Sequence, residues 1–427
     1  MKNNINGILI KVLEKIIPKE AELKEYNFLI KQFSAKLEKG LKELKINAEI
    51  FIGGSFAKKT LIQKNGYDAD LFLRFNEKYS GEAFSSIMEK IMEGVKNKLL
   101  IHGSRDYYRV ELKPGFFIEI IPVKKISRPE KAENTTDLSY FHVRYINNKI
   151  KTKKILDEIR LAKAFCYANK CYGAESYIQG FSGYALELLV YHYGGFMKFI
   201  KEIIKIKDRT VIDIEKKYKT KNQVLTDMNG SKLNSPIILI DPTYKQRNAL
   251  AALSKETFER FQKACRKFIA NPSVELFETQ KTDLEKIRKE AKAKKLEFIL
   301  LEIKTNKQEG DIAGSKLLKF YRHLSAETEK FFEVKHLGFN YNGKKTARCY
   351  FAAKTKKEIL ISGPNMKDRK NVRAFEKIHK NYFTRKGRIY SKEKIDFSIK
   401  EFINKWKKKN KHKLKEMSIT DLEVIND

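Results

Sequence analysis

The chain has 427 residues, 42% hydrophobic and 11% aromatic, which is ample material for packed cores and excludes a wholly disordered protein. Its length suits two to four domains at roughly 100–200 residues each. With 89 basic and 53 acidic side chains the formal charge is +36, an excess that points to a polyanion, although charge alone does not choose between RNA, DNA and an anionic membrane, and a lysine bias gives the same number.

Residues 1–44 read as helix, with Ile8, Val12 and Ile16 and then Leu23, Phe28, Phe33, Leu37 and Leu41 at helical spacing, and a break near Pro18. The period then changes. Ala48–Ile52 is β-rich and ends in Gly53-Gly54-Ser55, and Ala69–Phe75 alternates as a strand. A capped helix is predicted from Ser80 toward Lys98. Tyr107–Leu112 and Phe116–Val123, joined by Pro114-Gly115, form a predicted hairpin. Residues 1–140 therefore make a small α/β domain.

From Lys151 to Ile206 the pattern is mainly helical, interrupted at Gly173, Gly180 and Gly194-Gly195, with Ser182 placed to cap Tyr184–Tyr193. Apolar runs at Thr210–Ile214 and Pro236–Ile240 precede the turn-like Asp241-Pro242, and Ser254 is placed to cap Thr257–Ile269. Asn271-Pro272 marks a boundary between a second domain, 141–272, and a third, 273–427. Beyond it, Leu296–Ile303 and Ala347–Phe351 read as strands around a helical Lys316–Lys330, and the remainder is lysine-rich. The whole is α+β. Cys166, Cys171, Cys265 and Cys349 form no C-x-x-C pair, no secretory leader opens the chain, and no apolar run has membrane-spanning length. A cytoplasmic protein without membrane contact and without structural zinc is expected.

The chemistry concentrates in one constellation: Gly54-Ser55, twelve intervening residues, Asp68-Ala69-Asp70, and later Glu119. Strand residues two apart share a face, so Asp68 and Asp70 project side by side and repel one another unless a cation lies between them. Mg²⁺ suits oxygen ligands that share its shell with substrate phosphates. Glu119, on the alternating run Phe117–Ile121, supplies a third carboxylate, enough for two ions. Gly54-Ser55 ends a strand and opens a helix, where backbone N–H groups and the Ser55 hydroxyl can cradle a triphosphate. Taken singly, each has a bland explanation: a solvated acidic strand face, a loop Gly-Ser, a surface glutamate. Together they resemble the nucleotidyltransferases of the polymerase-β superfamily.

The resemblance widens downstream. Gly173-Ala174-Glu175, Gly180–Tyr184, Glu187-Leu188-Leu189, Arg209–Asp213, Asp241-Pro242, Arg247-Asn248 and Ala251–Ser254 resemble the central domain of archaeal, class I CCA-adding enzymes. Gly363-Pro364, Asn371-Val372, Phe375 and Gly387-Arg388 resemble that family's tail. The similarity spans roughly residues 1–390 and is strongest through the first 270.

That family implies a polymerase-β-type head (1–140), a mainly helical neck (141–272) and an α+β C-terminal region that binds RNA (273–427). It implies template-independent addition of CCA to tRNA from CTP and ATP. Asp68, Asp70 and Glu119 take the positions of the catalytic, metal-binding carboxylates, although the commonest family arrangement is Glu-x-Asp followed by Asp. Gly54 and Ser55 take the triphosphate-binding position, and Lys58 stands where arginine is frequent, keeping charge without the two-pronged geometry. His142, Lys163 and Tyr172 match positions that contact triphosphate and sugar. Arg247 matches the base-reading arginine. An arginine fork only donates, so it suits the ring acceptor of cytosine or adenine, while uracil and guanine present a ring N–H instead. The family further implies tRNA gripped along its acceptor stem and TΨC arm, and a homodimer. Rival readings are a poly(A) polymerase or oligoadenylate synthetase, and a non-catalytic RNA-binding relative. Seven lysines between Lys405 and Lys415, with Trp406 among them, offer a surface for an RNA backbone or simply an exposed helix.

Overall fold

The computed structural model describes residues 5–63, 66–279 and 282–425, so the first four residues of the expected N-terminal helix lie outside it. It divides into two compact units, residues 1–280 and 281–427.

The first unit opens with α1 (Ile5–Ile16) and α2 (Glu20–Glu43), separated at Pro18, which lacks the N–H a continuous helix needs there. There follow β1 (Ala48–Ile52), α3 (Gly54–Ala57), β2 (Tyr67–Phe75), α4 (Ala83–Ile91), β3 (Lys98–Ile101), β4 (Tyr107–Lys113) and β5 (Phe116–Lys124). The strands form a five-stranded sheet in the order β1-β2-β5-β4-β3. Only β2 and β5 run parallel; the other neighbours are antiparallel. Alternation divides the sheet into two faces. Ala69, Leu71, Val110, Ile118 and Ile120 bury against Tyr26, Ile30, Phe33 and Leu37 of α2 in one apolar core. The opposite side of the same strands carries Asp68, Asp70, Arg109 and Glu119, all only partly buried.

The helix foreseen from Ser80 toward Lys98 is shorter, and Ser80 does not cap it. The chain leaves the helix after Met92, Gly94 adopts a positive φ of 71°, and Lys98–Ile101 becomes an edge strand paired with β4. That strand is almost wholly exposed, so no alternation announced it.

The unit continues with α5 (Ser139–Lys149), α6 (Lys153–Ala168), α7 (Gly183–Tyr193), α8 (Phe196–Lys205), β6 (Thr210–Ile212), α9 (Lys221–Asp227), β7 (Ile237–Leu239) and α10 (Lys255–Ala270). The two foreseen caps are present: Ser182 Oγ accepts from the Ala185 N–H and Ser254 Oγ from the Thr257 N–H, each at 3.2 Å. A second apolar core forms around Phe165, Leu188, Phe199, Phe261 and Phe268. Leu9, Val12 and Ile16 of α1 belong to it, so the first helix of the chain packs with the later helices rather than with the sheet.

The second unit holds α11 (Leu284–Ala293), β8 (Glu297–Lys304), α12 (Asp311–Phe331), β9 (Phe332–Tyr341), β10 (Thr346–Thr355), β11 (Glu358–Asn365), α13 (Arg369–Ile378), β12 (Tyr382–Arg385), β13 (Arg388–Lys394), α14 (Ile399–Lys409), α15 (Lys411–Glu416) and β14 (Asp421–Val424). Its sheets run β14-β8-β10-β9 and β11-β13-β12. Trp406, on α14, is buried in the core beneath the four-stranded sheet, while Lys405, Lys408, Lys411 and Lys415 around it are exposed. The lysine-rich stretch is thus an amphipathic helix pair anchored by one aromatic. Among the described residues, no helix is long and apolar enough to cross a membrane, and all four cysteines are free and buried.

Candidate active site

The sheet places the acids. β2 and β5 pair in parallel with Asp70 opposite Glu119 and Asp68 opposite Phe117, so the three carboxylates share the open face. They line a cleft of about 430 Å³ together with Gly54, Ser55, Lys58, Tyr107, Lys163, Tyr172 and Glu187. A larger cavity of about 630 Å³ lies in the second unit, lined by Lys407, Lys408, Lys411 and Lys415. Its wall carries no carboxylate to hold a metal, so the chemistry is assigned to the smaller cleft.

Gly54 starts a single four-residue turn in a left-handed conformation, φ 60°, and any side chain there would overlap the Asp70 carboxylate. Glycine is what lets the Ser55 turn lie directly against the acid. Arg160 of α6 fixes the segment that follows, donating to the Lys59 carbonyl at 2.8 Å and the Leu61 carbonyl at 3.1 Å.

Glu187 of α7, wholly buried, is the hub of the cationic side of the cleft. Lys58 Nζ donates to its Oε2 at 2.6 Å, Lys163 Nζ to its Oε1 at 2.9 Å, and the Thr60 hydroxyl to the same Oε1 at 2.9 Å. Lys163 also donates to Thr60 Oγ1 at 2.7 Å. Burial by itself would raise the Glu187 carboxyl, but the charges of Lys163 and Lys58 outweigh it and hold it at about 2. Burial lowers Lys163 to about 8, with the Glu187 charge opposing and the Lys58 charge assisting.

A second buried carboxylate, Asp241, gathers the remaining candidates. Its Oδ2 pairs with His142 Nε2 at 2.9 Å and accepts from Arg247 Nη1 at 2.8 Å, while its Oδ1 accepts from the Tyr184 hydroxyl at 3.0 Å and from Thr243. Burial opposes ionisation of Asp241, yet the His142 and Arg247 charges hold its carboxyl far below the usual range. His142 stacks on Tyr184 with ring centroids 3.9 Å apart. His142 and Arg247 do not line the cleft itself. They reach its edge through Tyr184, which lies one helical turn before Glu187 and whose ring faces Lys58 Nζ at 5.8 Å. Tyr172 stacks on Tyr167 at 4.1 Å in the cleft wall.

Four residues of this site escaped the sequence reading as site residues: Glu187, Asp241, Thr60 and Arg109. Glu187 left a signal, being the one charge inside the apolar run Tyr184–Val190, and a charge on a buried helix face requires partners. Thr60 and Arg109 left none.

The donor set suits divalent ions. All three acids offer oxygen, and the arrangement already attracts a cation: Arg109 Nη2 lies 2.8 Å from Asp68 Oδ1 and its Nε 4.0 Å from Glu119 Oε1. Among the described residues no three His, Cys, Asp or Glu side chains converge into a ready ligand set.

Residues 157–278 match the family described as "tRNA nucleotidyltransferase, second domain". A CCA-adding enzyme of Nanoarchaeum equitans is 40% identical over 211 residues, 49% of this chain and 52% of that protein, so the match spans about half the length of that relative. A CCA-adding enzyme of Archaeoglobus fulgidus is 27% identical over 409 residues, 93% of this chain and 88% of that protein. A solved cytoplasmic RNA terminal U-transferase superposes with a TM-score of 0.50 at 14% identity, over 66% of this chain and 100% of its own, which shows a shared fold. The chain is thus similar to archaeal CCA-adding enzymes over most of its length, and its residues 157–278 match the second domain of tRNA nucleotidyltransferases.

Proposed function

We propose that this protein completes tRNA 3′ ends by adding C, C and A from CTP and ATP, with pyrophosphate released at each step. The observation that carries the reading is the cleft: three carboxylates on one sheet face, opposite two lysines held by a single buried glutamate. Such a cleft matches a substrate with a polyanionic tail and a reacting phosphorus between tail and acids.

Asp68, Asp70 and Glu119 would hold two Mg²⁺ ions. Bound there, Mg²⁺ favours ionisation of the attacking 3′-hydroxyl and offsets the charge of the leaving pyrophosphate. The chain's own residues do the positioning. Ser55 and its neighbouring amides take the triphosphate with Lys58 and Lys163, Tyr172 bounds the sugar side, and His142 borders the same edge from behind Tyr184. Arg247, kept in one orientation by Asp241, donates to the ring acceptor shared by cytosine and adenine. In this reading residues 1–140 form the catalytic head, 141–272 the neck that completes the nucleotide site, and 273–427 the region that grips the acceptor stem and TΨC arm. The enzyme works in the cytoplasm, as a homodimer.

The deciding experiment supplies tRNA lacking its terminal CCA together with single and paired nucleoside triphosphates. Growth by two C and then one A supports the proposal. A long A tail points instead to a poly(A) polymerase, and tight tRNA binding without any incorporation in Mg²⁺ points to a non-catalytic relative.

A further inference from the structure

Arg109 stands beside the acids of the cleft with no part in the nucleotidyl transfer described above. It lies on β4, in register opposite Glu119, and reaches across β5 to Asp68 on β2. Its guanidinium carbon sits 4.1 Å from the centroid of the Phe117 ring, between the two acids. The clamp is incomplete. Nε is buried and makes no hydrogen bond, its distance to Glu119 being 4.0 Å against 2.8 Å from Nη2 to Asp68.

We propose that Arg109 is a resident counter-ion that competes with divalent cations for the acidic face, so that metal binds this cleft weakly until nucleotide arrives with it. The proposal rests on the assignment of Asp68, Asp70 and Glu119 as the metal-binding acids. Its physical basis is electrostatic. Three carboxylates on one face are costly to keep ionised together, and a fixed guanidinium relieves part of that cost in the metal-free protein. Arginine cannot surrender its charge by losing a proton, so an incoming ion must displace it bodily. Exchanging one cation for another gains little when no further anion is present. A triphosphate changes the balance, because it brings negative charge for the ion and a new acceptor for the released guanidinium. The unsatisfied Nε lowers the cost of leaving.

The test measures Mn²⁺ binding by electron paramagnetic resonance, without nucleotide, on the full-length protein, its Arg109→Gln variant, and the same pair carrying Asp70→Asn. Arg109→Gln is expected to bind Mn²⁺ about tenfold more tightly than wild type, the order of change for removing one nearby charge at a half-exposed site. Its melting temperature in chelator should fall, and Mn²⁺ should restore it. Equal affinities for wild type and Arg109→Gln, both lost with Asp70→Asn, would overturn the Arg109 proposal and leave the metal assignment standing. Affinity untouched by Asp70→Asn, or no binding to any variant, would overturn both. Should Arg109→Gln misfold, Phe117→Leu keeps the test open. It removes the ring that holds the guanidinium while leaving every charge in place, and about a twofold tightening is expected; no change would count against the proposal.

Discussion

Lys58 and Glu187 stand 129 residues apart in the sequence and 2.6 Å apart in the fold. The contact ties the loop after the Ser55 turn to helix α7, and through Glu187 it reaches Lys163 on α6 as well. Glu187→Gln leaves two buried ammonium groups with no opposing charge. Loss of one partner from a buried pair costs about 3–5 kcal/mol, so chemical denaturation should show a fall of that order. The same carboxylate gives an acid limb. Its folded value of about 2 lies below the ordinary 4.5, so its stabilisation is complete above pH 4.5 and is lost as pH falls from there toward 2. A Glu187→Gln protein as stable as wild type, with an unchanged acid limb, would refute the hub assignment.

Lys163 titrates in the opposite sense. Its ammonium is disfavoured by burial, with a folded value of about 8 against 10.5 in the unfolded chain. The unfolded state therefore binds more protons between about pH 8 and 10.5, and the group's contribution to stability rises with pH across that window. Nucleotide affinity should move the other way. A triphosphate favours the charged lysine, so the Kd for CTP is expected to stay flat below pH 8 and to weaken up to about tenfold per pH unit above it. Fluorescence titration from pH 7 to 9.5 checks this, and Lys163→Met should flatten the profile. A wild-type profile flat to pH 9.5 would remove Lys163 from the triphosphate site.

What was legible in the sequence, and what was not, follows from burial and charge. β2, β4 and β5 could be read because buried and half-buried positions alternate along part of each, and β1 from its β-rich composition. Ser182 and Ser254 could be read because a hydroxyl ahead of an apolar helix has one local use. The strands β9, β11, β12 and β13 passed unread within the lysine-rich remainder. In β9 and β11 exposed and half-buried positions alternate, so the apolar signal is faint, and β12 is exposed throughout. The acids of the cleft were visible as types and spacing. On its cationic side only Glu187 left a mark, as a lone charge in an apolar helix, since nothing local to Lys58 or Thr60 announces a partner on α7.

Asp70 faces Glu119 in register and packs against the Gly54 turn, so its loss strikes both the acidic face and the triphosphate end. Asp70→Ala is expected to reduce nucleotide addition by at least about 10³-fold, corresponding to several kcal/mol of transition-state stabilisation. tRNA binding should be nearly unchanged, because removing a carboxylate takes no positive charge away. Single-turnover extension with filter binding measures both. Extension near the wild-type rate would exclude Asp70 from catalysis.

Arg247 is anchored to Asp241, a carboxylate it shares with His142. If it reads the nucleobase, Arg247→Ala should lower kcat/KM for CTP and ATP by roughly 10- to 100-fold, as for removal of one charged hydrogen bond, with much smaller changes for UTP and GTP. Discrimination then narrows because the correct substrates suffer more. Competition between CTP and UTP on tRNA lacking its 3′ end gives the ratio directly. An equal loss for all four nucleotides would make Arg247 a structural partner of Asp241 and nothing more.

On the second unit, Trp406 is buried while Lys408, Lys411 and Lys415 are exposed and border one cavity. The aromatic fixes the helix pair and the lysines project from it, an arrangement suited to phosphates and blind to base sequence. Changing these three lysines to alanine should weaken tRNA binding at low salt and reduce the slope of log K against log salt by about 2, at roughly 0.7–0.9 for each phosphate no longer neutralised. The rate at saturating tRNA should hold, because the acids and the nucleotide pocket belong to the other unit. Filter binding from low to moderate salt separates the outcomes: an unaltered slope means the cluster is a solvated helix face, and the RNA lies elsewhere.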